Sequence, residues 1–148
     1  MPSTEEVDLK KELPPGLYGA LAGFRLAMRR FLALSEAALA EAEVTSQQYQ
    51  AMLVIKTADG GRIMMRELSE QMLMQPHGAV QLVDRLSLAG LANRMPSEND
   101  RRSVLIGLTP RGEGLLEALA RIHVEGLLAN QPLLAESLSK LRDLGEIE

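Results

Sequence analysis

The stretch Arg66–Leu116, RELSEQMLMQPHGAVQLVDRLSLAGLANRMPSENDRRSVLIGLTPRGEGLL, decides how this chain reads. Its apolar residues first recur at helical spacing and then alternate. Leu68 and Met72 face inward on a short helix predicted over Met65–Met72. Gln75-Pro76 stands where a second helix starts, because proline at the first helical position gives up an N–H that has no partner there. Ala79, Leu82, Val83 and Leu86 form the inward face of that helix, and Gly90 supplies a left-handed cap at its end. Leu91–Met95 and Val104–Leu108 are strand candidates of similar length, and in the second Val104, Ile106 and Leu108 alternate with other residues. The connector Pro96–Arg102 is polar, turn-forming and tipped with arginine. Thr109-Pro110 then repeats the cap-plus-proline start of a helix. Helix, tight turn, helix, hairpin and helix in that order describe a winged helix-turn-helix, a shape that places one helix in a DNA groove and a loop beside it.

Outward from this stretch the chain is helical. Residues 1–13 read as a flexible arm, and Pro14-Pro15-Gly16 opens a long helix. Leu17, Leu21, Phe24, Met28, Phe31, Ser35 and Ala38 are spaced alternately by four and three, which makes one stripe. Glu41-Ala42-Glu43 leads into a break. Thr45-Ser46-Gln47-Gln48 fits a capping box at the start of the next helix, followed by Tyr49, Met52, Leu53 and Lys56 at helical spacing. Asp59-Gly60-Gly61 ends that helix with turn residues, and Arg62-Ile63-Met64 is a very short strand candidate. Beyond the hairpin, a helix is predicted to about Ala129. A last helix is predicted from Gln131-Pro132, with Leu133, Leu134, Leu138, Leu141 and Leu144 along it. The fold class is mainly α with a small β-hairpin wing. The expected organisation is an arm (1–13), a helix contributing to dimerisation (14–43), a winged helix-turn-helix (44–112) and C-terminal dimerisation helices (113–148).

Composition narrows the function. The 148 residues suffice for one domain with a core, and 46% hydrophobic content argues against disorder. No apolar run is long enough to span a bilayer and no secretion signal is visible, so the expected location is the cytoplasm, without membrane contact. The chain has no cysteine, which excludes disulfides and thiolate metal sites, and its two histidines, His77 and His123, are far apart. No HExxH, GxSxG or P-loop occurs, so an enzyme is not expected, and neither a metal nor a cofactor is implied. Aromatics at 3% make a stacking platform for single strands improbable.

Net charge is -4, yet its distribution is uneven. Residues 1–61 carry net -2, residues 62–111 net +2, and residues 112–148 net -4. The positive segment is the one with the helix-turn-helix pattern, and a dimer doubles its charge. On that segment His77, Gln81 and Asp84 lie opposite the apolar face of the second helix. Gln pairs bidentately with adenine and His donates to guanine, so the two suit base edges in a major groove. Gly78 lets backbone or phosphate approach closely. The alternative is a solvated polar face. At the hairpin tip, Arg101 and Arg102 suit a narrow, negative minor groove, with Asp100 to hold a guanidinium. A charged turn that only aids solubility is the alternative there.

These residues together resemble the MarR family of bacterial transcriptional regulators. The resemblance is carried by Glu67-Leu68-Ser69, by Leu82-Val83-Asp84-Arg85-Leu86 with Gly90-Leu91, by Asp100-Arg101-Arg102, and by Leu108-Thr109-Pro110-Arg111-Gly112, and it covers residues 45 to 119. It implies a homodimer whose recognition helices enter successive major grooves of a pseudo-palindrome in double-stranded promoter DNA, most often as a repressor. By carry-over, Arg102 is the minor-groove arginine, oriented by Asp100. Gln75, His77, Gly78 and Gln81 face the major groove, Arg85 contacts phosphate or an acidic partner, and Asp84 pairs with a wing arginine. The commonest family pattern has Ser-Thr at His77-Gly78 and often Arg at Gln81, so this chain departs from it. A winged helix that binds a protein and no DNA is the contrasting reading.

The resemblance also implies release of DNA by a small effector, often an aromatic anion, bound between the dimer helices and the winged domain. Tyr18, Phe24, Arg25, Tyr49, Met52 and His123 are the candidate lining, with Arg25 the counter-ion for a carboxylate. Ordinary core or surface packing is the alternative for each. The Leu17–Ala38 stripe and the leucines of the last helix exceed what a winged helix of this size covers alone, which independently points to a dimer.

Overall fold

The structure, a computed structural model, describes residues 12–97 and 103–145. In chain order it contains α1 (Pro15–Glu41), α2 (Ser46–Thr57), a 3-10 turn (Asp59–Gly61), β1 (Arg62–Met64), α3 (Met65–Gln71), α4 (Pro76–Leu88), β2 (Ala92–Pro96), β3 (Val104–Leu108) and α5 (Pro110–Gly145). The chain divides into two compact units: one holds the chain up to Ala33 and from Gly126 onward, the other runs Leu34–Glu125.

In the Leu34–Glu125 unit, the capping box read from the sequence is formed. Thr45 Oγ1 accepts from the Gln48 amide at 3.0 Å, and Gln48 Oε1 accepts from the Thr45 amide at 2.9 Å. Behind this start, Met52, Ile55, Ile63, Leu68, Val83, Leu86 and Ile106 are fully buried and form the centre of one apolar core. They come from α2, β1, α3, α4 and β3, so burial of apolar surface holds the helix-turn-helix and the wing to a common centre. Three antiparallel strands in the order β1-β3-β2 make the sheet. Ile63 pairs with Ile106 in the first ladder, and Ala92↔Leu108 to Pro96↔Val104 set the second. β1 thus pairs with the far strand of the hairpin, a long-range match that its three residues alone do not announce.

Three helix ends share one device. At the ends of α1, α3 and α4, one residue takes a positive φ and two backbone bonds fold the chain back: Glu43 (φ 58), Leu73 (φ 54) and Gly90 (φ 73). After α4, the Gly90 amide donates to the Ser87 carbonyl at 3.0 Å and the Leu91 amide to the Leu86 carbonyl at 2.9 Å. This is a Schellman turn, and it explains why the strand expected over Leu91–Met95 begins one residue later. Leu91 spends its N–H on closing the helix, so β2 starts at Ala92.

In the other unit, Ala20, Ala27 and Ser137 are buried. Gly23 allows α1 to approach α5 closely, since a Cβ there would lie 2.6 Å from Ser137 Oγ. The separate last helix expected from Gln131-Pro132 is not formed: α5 is continuous and Pro132 lies inside it. Proline removes one backbone donor but leaves φ helical. The good helix formers on both sides carry the helix through, and the Asn130 side chain folds back along it, its Nδ2 donating to the Gly126 carbonyl at 2.9 Å. No helix among the described residues is long and apolar enough to cross a membrane.

Candidate nucleic-acid interface

Helix α4 begins with Pro76 at its first turn after Gln75, which has extended backbone and no side-chain cap. Its inner face, Ala79, Leu82, Val83 and Leu86, is buried. Gln75, His77, Gln81, Asp84 and Arg85 are all exposed on the outside, the placement expected from the sequence. Gly78 is half-buried, and a Cβ there would meet Met74 Cε at 3.3 Å. Hydrogen bonds organise the outer face. Gln81 Nε2 lies 3.3 Å from His77 Nε2, one helical turn away. Arg94 Nη2 on β2 donates to Asp84 Oδ1 at 2.5 Å, so the helix face and the hairpin are tied by an ion pair. Arg85 has no partner among the described residues and leaves its cation free for an external anion.

The hairpin carries its pairing to the Ser97 amide, which donates to the Ser103 carbonyl at 3.0 Å. Asp100, Arg101 and Arg102 lie between these two residues and outside the described part of the chain. At the other end of the hairpin, Thr109 Oγ1 donates to the Gly90 carbonyl at 2.6 Å and accepts from the Gly112 amide at 3.0 Å. The Thr109 amide donates to the Leu91 carbonyl at 3.0 Å. Gly112 sits directly under that carbonyl, where a Cβ would fall 2.1 Å from the oxygen. The Gly90-Leu91 and Thr109-Pro110-Arg111-Gly112 segments are therefore one physical joint: the cap that ends α4 is fastened to the cap that starts α5.

Of the candidate effector residues, the structure brings together Tyr49 and His123. Their rings stack with centroids 4.4 Å apart and 14° between planes. His123 is buried, with Nδ1 2.7 Å from the Leu119 carbonyl and Nε2 2.8 Å from Ser35 Oγ. A carbonyl only accepts, so Nδ1 carries a proton and, in the neutral ring, the Ser35 hydroxyl donates to Nε2. Burial pushes the Tyr49 phenol above its ordinary value of 10.0. Met52 is fully enclosed in the apolar core. Tyr18, Phe24 and Arg25 belong to the other compact unit, where Tyr18 and Arg25 are exposed and Phe24 is half-buried. Sequence reasoning places Ser35 in the apolar stripe of α1 and misses its bond to His123. It also leaves open which wing arginine meets Asp84. Arg94, two residues into a strand, carries no local signal for that role.

This architecture has clear relatives. The family model described as "MarR family" matches residues 42–103. The HTH-type transcriptional regulator FarR of Neisseria gonorrhoeae is 30% identical over 72% of this chain and 72% of its own length. The multiple antibiotic resistance protein MarR of Salmonella typhimurium is 32% identical over 53% of this chain, and the match spans about half of that relative, 54% of its length. Among solved structures, a mutant E. coli MarR complexed with operator DNA aligns with a TM-score of 0.64 and 22% identity, covering 90% of this chain and 96% of that one. NadR in complex with 4-hydroxyphenylacetate aligns over 100% of both chains at 25% identity, with a TM-score of 0.64. The chain belongs to the MarR family of transcriptional regulators.

Proposed function

We propose that the protein is a ligand-responsive repressor that binds pseudo-palindromic promoter DNA as a homodimer. In this reading α4 enters the major groove with Gln75, His77, Gly78 and Gln81 toward base edges and Arg85 on phosphate. Arg102, beside Arg101 and oriented by Asp100, reaches the adjacent minor groove. The observation that carries the reading is the division of α4. One face is wholly buried, and the other presents polar and basic side chains beside a hairpin held to it by Arg94 and Asp84. Operator DNA in the E. coli MarR complex supports it.

Dimerisation is supported by apolar surface that a single chain leaves uncovered. Tyr18, Leu21 and Leu32 on α1 and Leu127, Leu128 and Leu138 on α5 are all at least 45% exposed. The Leu127, Leu128 and Leu138 side chains line a groove together with Leu134 and Ala135. The effector is a small aromatic acid, a class represented by the 4-hydroxyphenylacetate in NadR. It acts by favouring a half-site spacing that does not fit DNA.

The test is to bind the full-length protein to the intergenic DNA upstream of its own gene and then to titrate aromatic acids and their CoA thioesters. Saturable binding at two half-sites and release by one acid class are expected. Retention of a protein partner with no DNA fragment bound would replace this reading with that of a protein-interaction module.

A further inference from the structure

The hydrogen bond between Gln81 and His77 has a consequence for which base is read. An amide nitrogen only donates, so the bond from Gln81 Nε2 requires His77 Nε2 to accept, with the imidazole neutral and its proton on Nδ1. Gln81 then keeps Oε1 and one N–H for a ligand. That acceptor–donor pair matches adenine, which offers the N6 amino group as donor and N7 as acceptor. A protonated imidazole has no acceptor. Its Nε2–H instead donates to Oε1, which turns the carboxamide over and leaves both amide N–H groups free. Two donors match guanine, whose N7 and O6 both accept.

We propose that His77 is a positioning residue for Gln81: the neutral ring with its proton on Nδ1 accepts from the carboxamide and sets it to read adenine, and the protonated ring, which carries a hydrogen on Nε2, resets it toward guanine. The proposal rests on α4 being the DNA-reading helix. The pair is well placed for such a switch. Both side chains are exposed, and the i, i+4 spacing keeps them adjacent on the helix. Among the described residues, the charged groups on the elements packed with α4 are Asp84 and Arg85 on α4 itself, Lys56 on α2, which is paired with Glu113, Arg66, Glu67 and Glu70 on α3, and Arg94 on β2. Asp84 is engaged by Arg94, and Arg66 pairs with Glu70. Gln81 is the hydrogen-bond partner of His77 among the described residues. Histidine is the side chain whose charge changes in the physiological range.

The test starts by selecting duplexes from a randomised pool with the full-length wild type at pH 8.0. The position whose preference is lost in Gln81→Ala is the one Gln81 reads. Duplexes carrying A or G there are then compared at pH 8.0 and pH 5.5 at one ionic strength, for wild type and for His77→Ala. Taking the A/G ratio at each pH cancels any general effect of pH on affinity. The expected result is about a tenfold preference for adenine at pH 8.0 that shrinks or inverts at pH 5.5, and a ratio in His77→Ala that is smaller and independent of pH. An adenine preference that is the same at both pH values, or unchanged in His77→Ala, overturns the proposal. If selection recovers no sequence at all, the DNA-reading assignment of α4 falls first, and this proposal falls with it.

Discussion

Arg94 Nη2 and Asp84 Oδ1 lie 2.5 Å apart, which joins the outer face of α4 to strand β2 of the wing. The pair matters for geometry more than for stability. Both side chains are well exposed, at 37% and 52%, so water screens most of the attraction. Arg94→Ala and Asp84→Ala are each expected to lower stability by less than about 1 kcal/mol in denaturant titrations. Operator affinity is expected to fall about tenfold in each, because helix and wing no longer hold one relative angle, a misplacement that binding feels as about 1.4 kcal/mol. The charge-swapped double variant Asp84→Arg with Arg94→Asp recovers part of the loss. Full affinity in both single variants would show that the pair does not position the two elements.

Leu73 holds a φ of 54 in the turn between α3 and α4, with its side chain 94% exposed. A left-handed conformation costs an L-residue about 1–2 kcal/mol, and this side chain recovers little of that by burial. Glycine removes the strain but gives up about 0.5–1 kcal/mol of unfolded-state entropy. Leu73→Gly is therefore expected to stabilise the protein by about 0.5 kcal/mol, while Leu73→Ala keeps the strain and gains nothing. Thermal melts of the two variants side by side check this. A lower melting temperature for the glycine variant would contradict it.

Gly112 has no such latitude. A Cβ 2.1 Å from the Leu91 carbonyl oxygen meets backbone, not a flexible side chain. Gly112→Ala is expected to cost at least ~2 kcal/mol by overpacking, despite the better helix propensity of alanine. The neighbouring Gly114, with open space around it, serves as the control. Its alanine variant is expected to be neutral or slightly stabilising by urea unfolding.

Burial raises the Tyr49 phenol pKa above 10.0. The folded state therefore favours the neutral phenol more than the unfolded chain does. That contribution is complete below pH 10 and is lost as pH rises from the ordinary value through the raised one. Stability measured between pH 9 and pH 12 is expected to fall more steeply for wild type than for Tyr49→Phe. Parallel slopes would show that Tyr49 ionises as freely in the folded protein as in the unfolded one.

Arg85 is exposed on α4 without a partner among the described residues, which suits a role on phosphate. Arg85→Ala is expected to weaken binding to all duplexes alike. In a dimer it lowers the slope of log affinity against log salt by about 2, roughly one for each phosphate no longer neutralised. A change confined to one operator sequence would instead make Arg85 a base reader.

Much of this fold is legible in the sequence because its signals are local. The Thr45–Gln48 capping box, Pro76 at the start of α4, Gly90 at its end and the strand Val104–Leu108 each rest on signals within a few residues, and each is found where expected, although Val104 is exposed and burial along that strand does not alternate. The outward-facing residues of α4 follow from the same periodicity: once Ala79, Leu82 and Leu86 are inward, His77 and Gln81 must be outward. What the sequence hid depends on distance or on competition. Nothing near Ser35 announces His123, 88 positions away. The pairing of Ile63 with Ile106 and the choice of Arg94 for Asp84 are settled by tertiary packing. Pro132 misleads because a proline after a polar residue looks the same whether it starts a helix or interrupts one. The helix formers around it decide the outcome.

The central claim is that α4 and the arginine-tipped wing hold DNA together. The direct measurement is the affinity of wild type and of the double variant Arg101→Ala, Arg102→Ala for the selected operator duplex, by fluorescence anisotropy at fixed salt. The expected result is a loss of about tenfold or more in the variant, with folding and dimerisation intact. Equal affinity of the two proteins for that duplex would contradict the account.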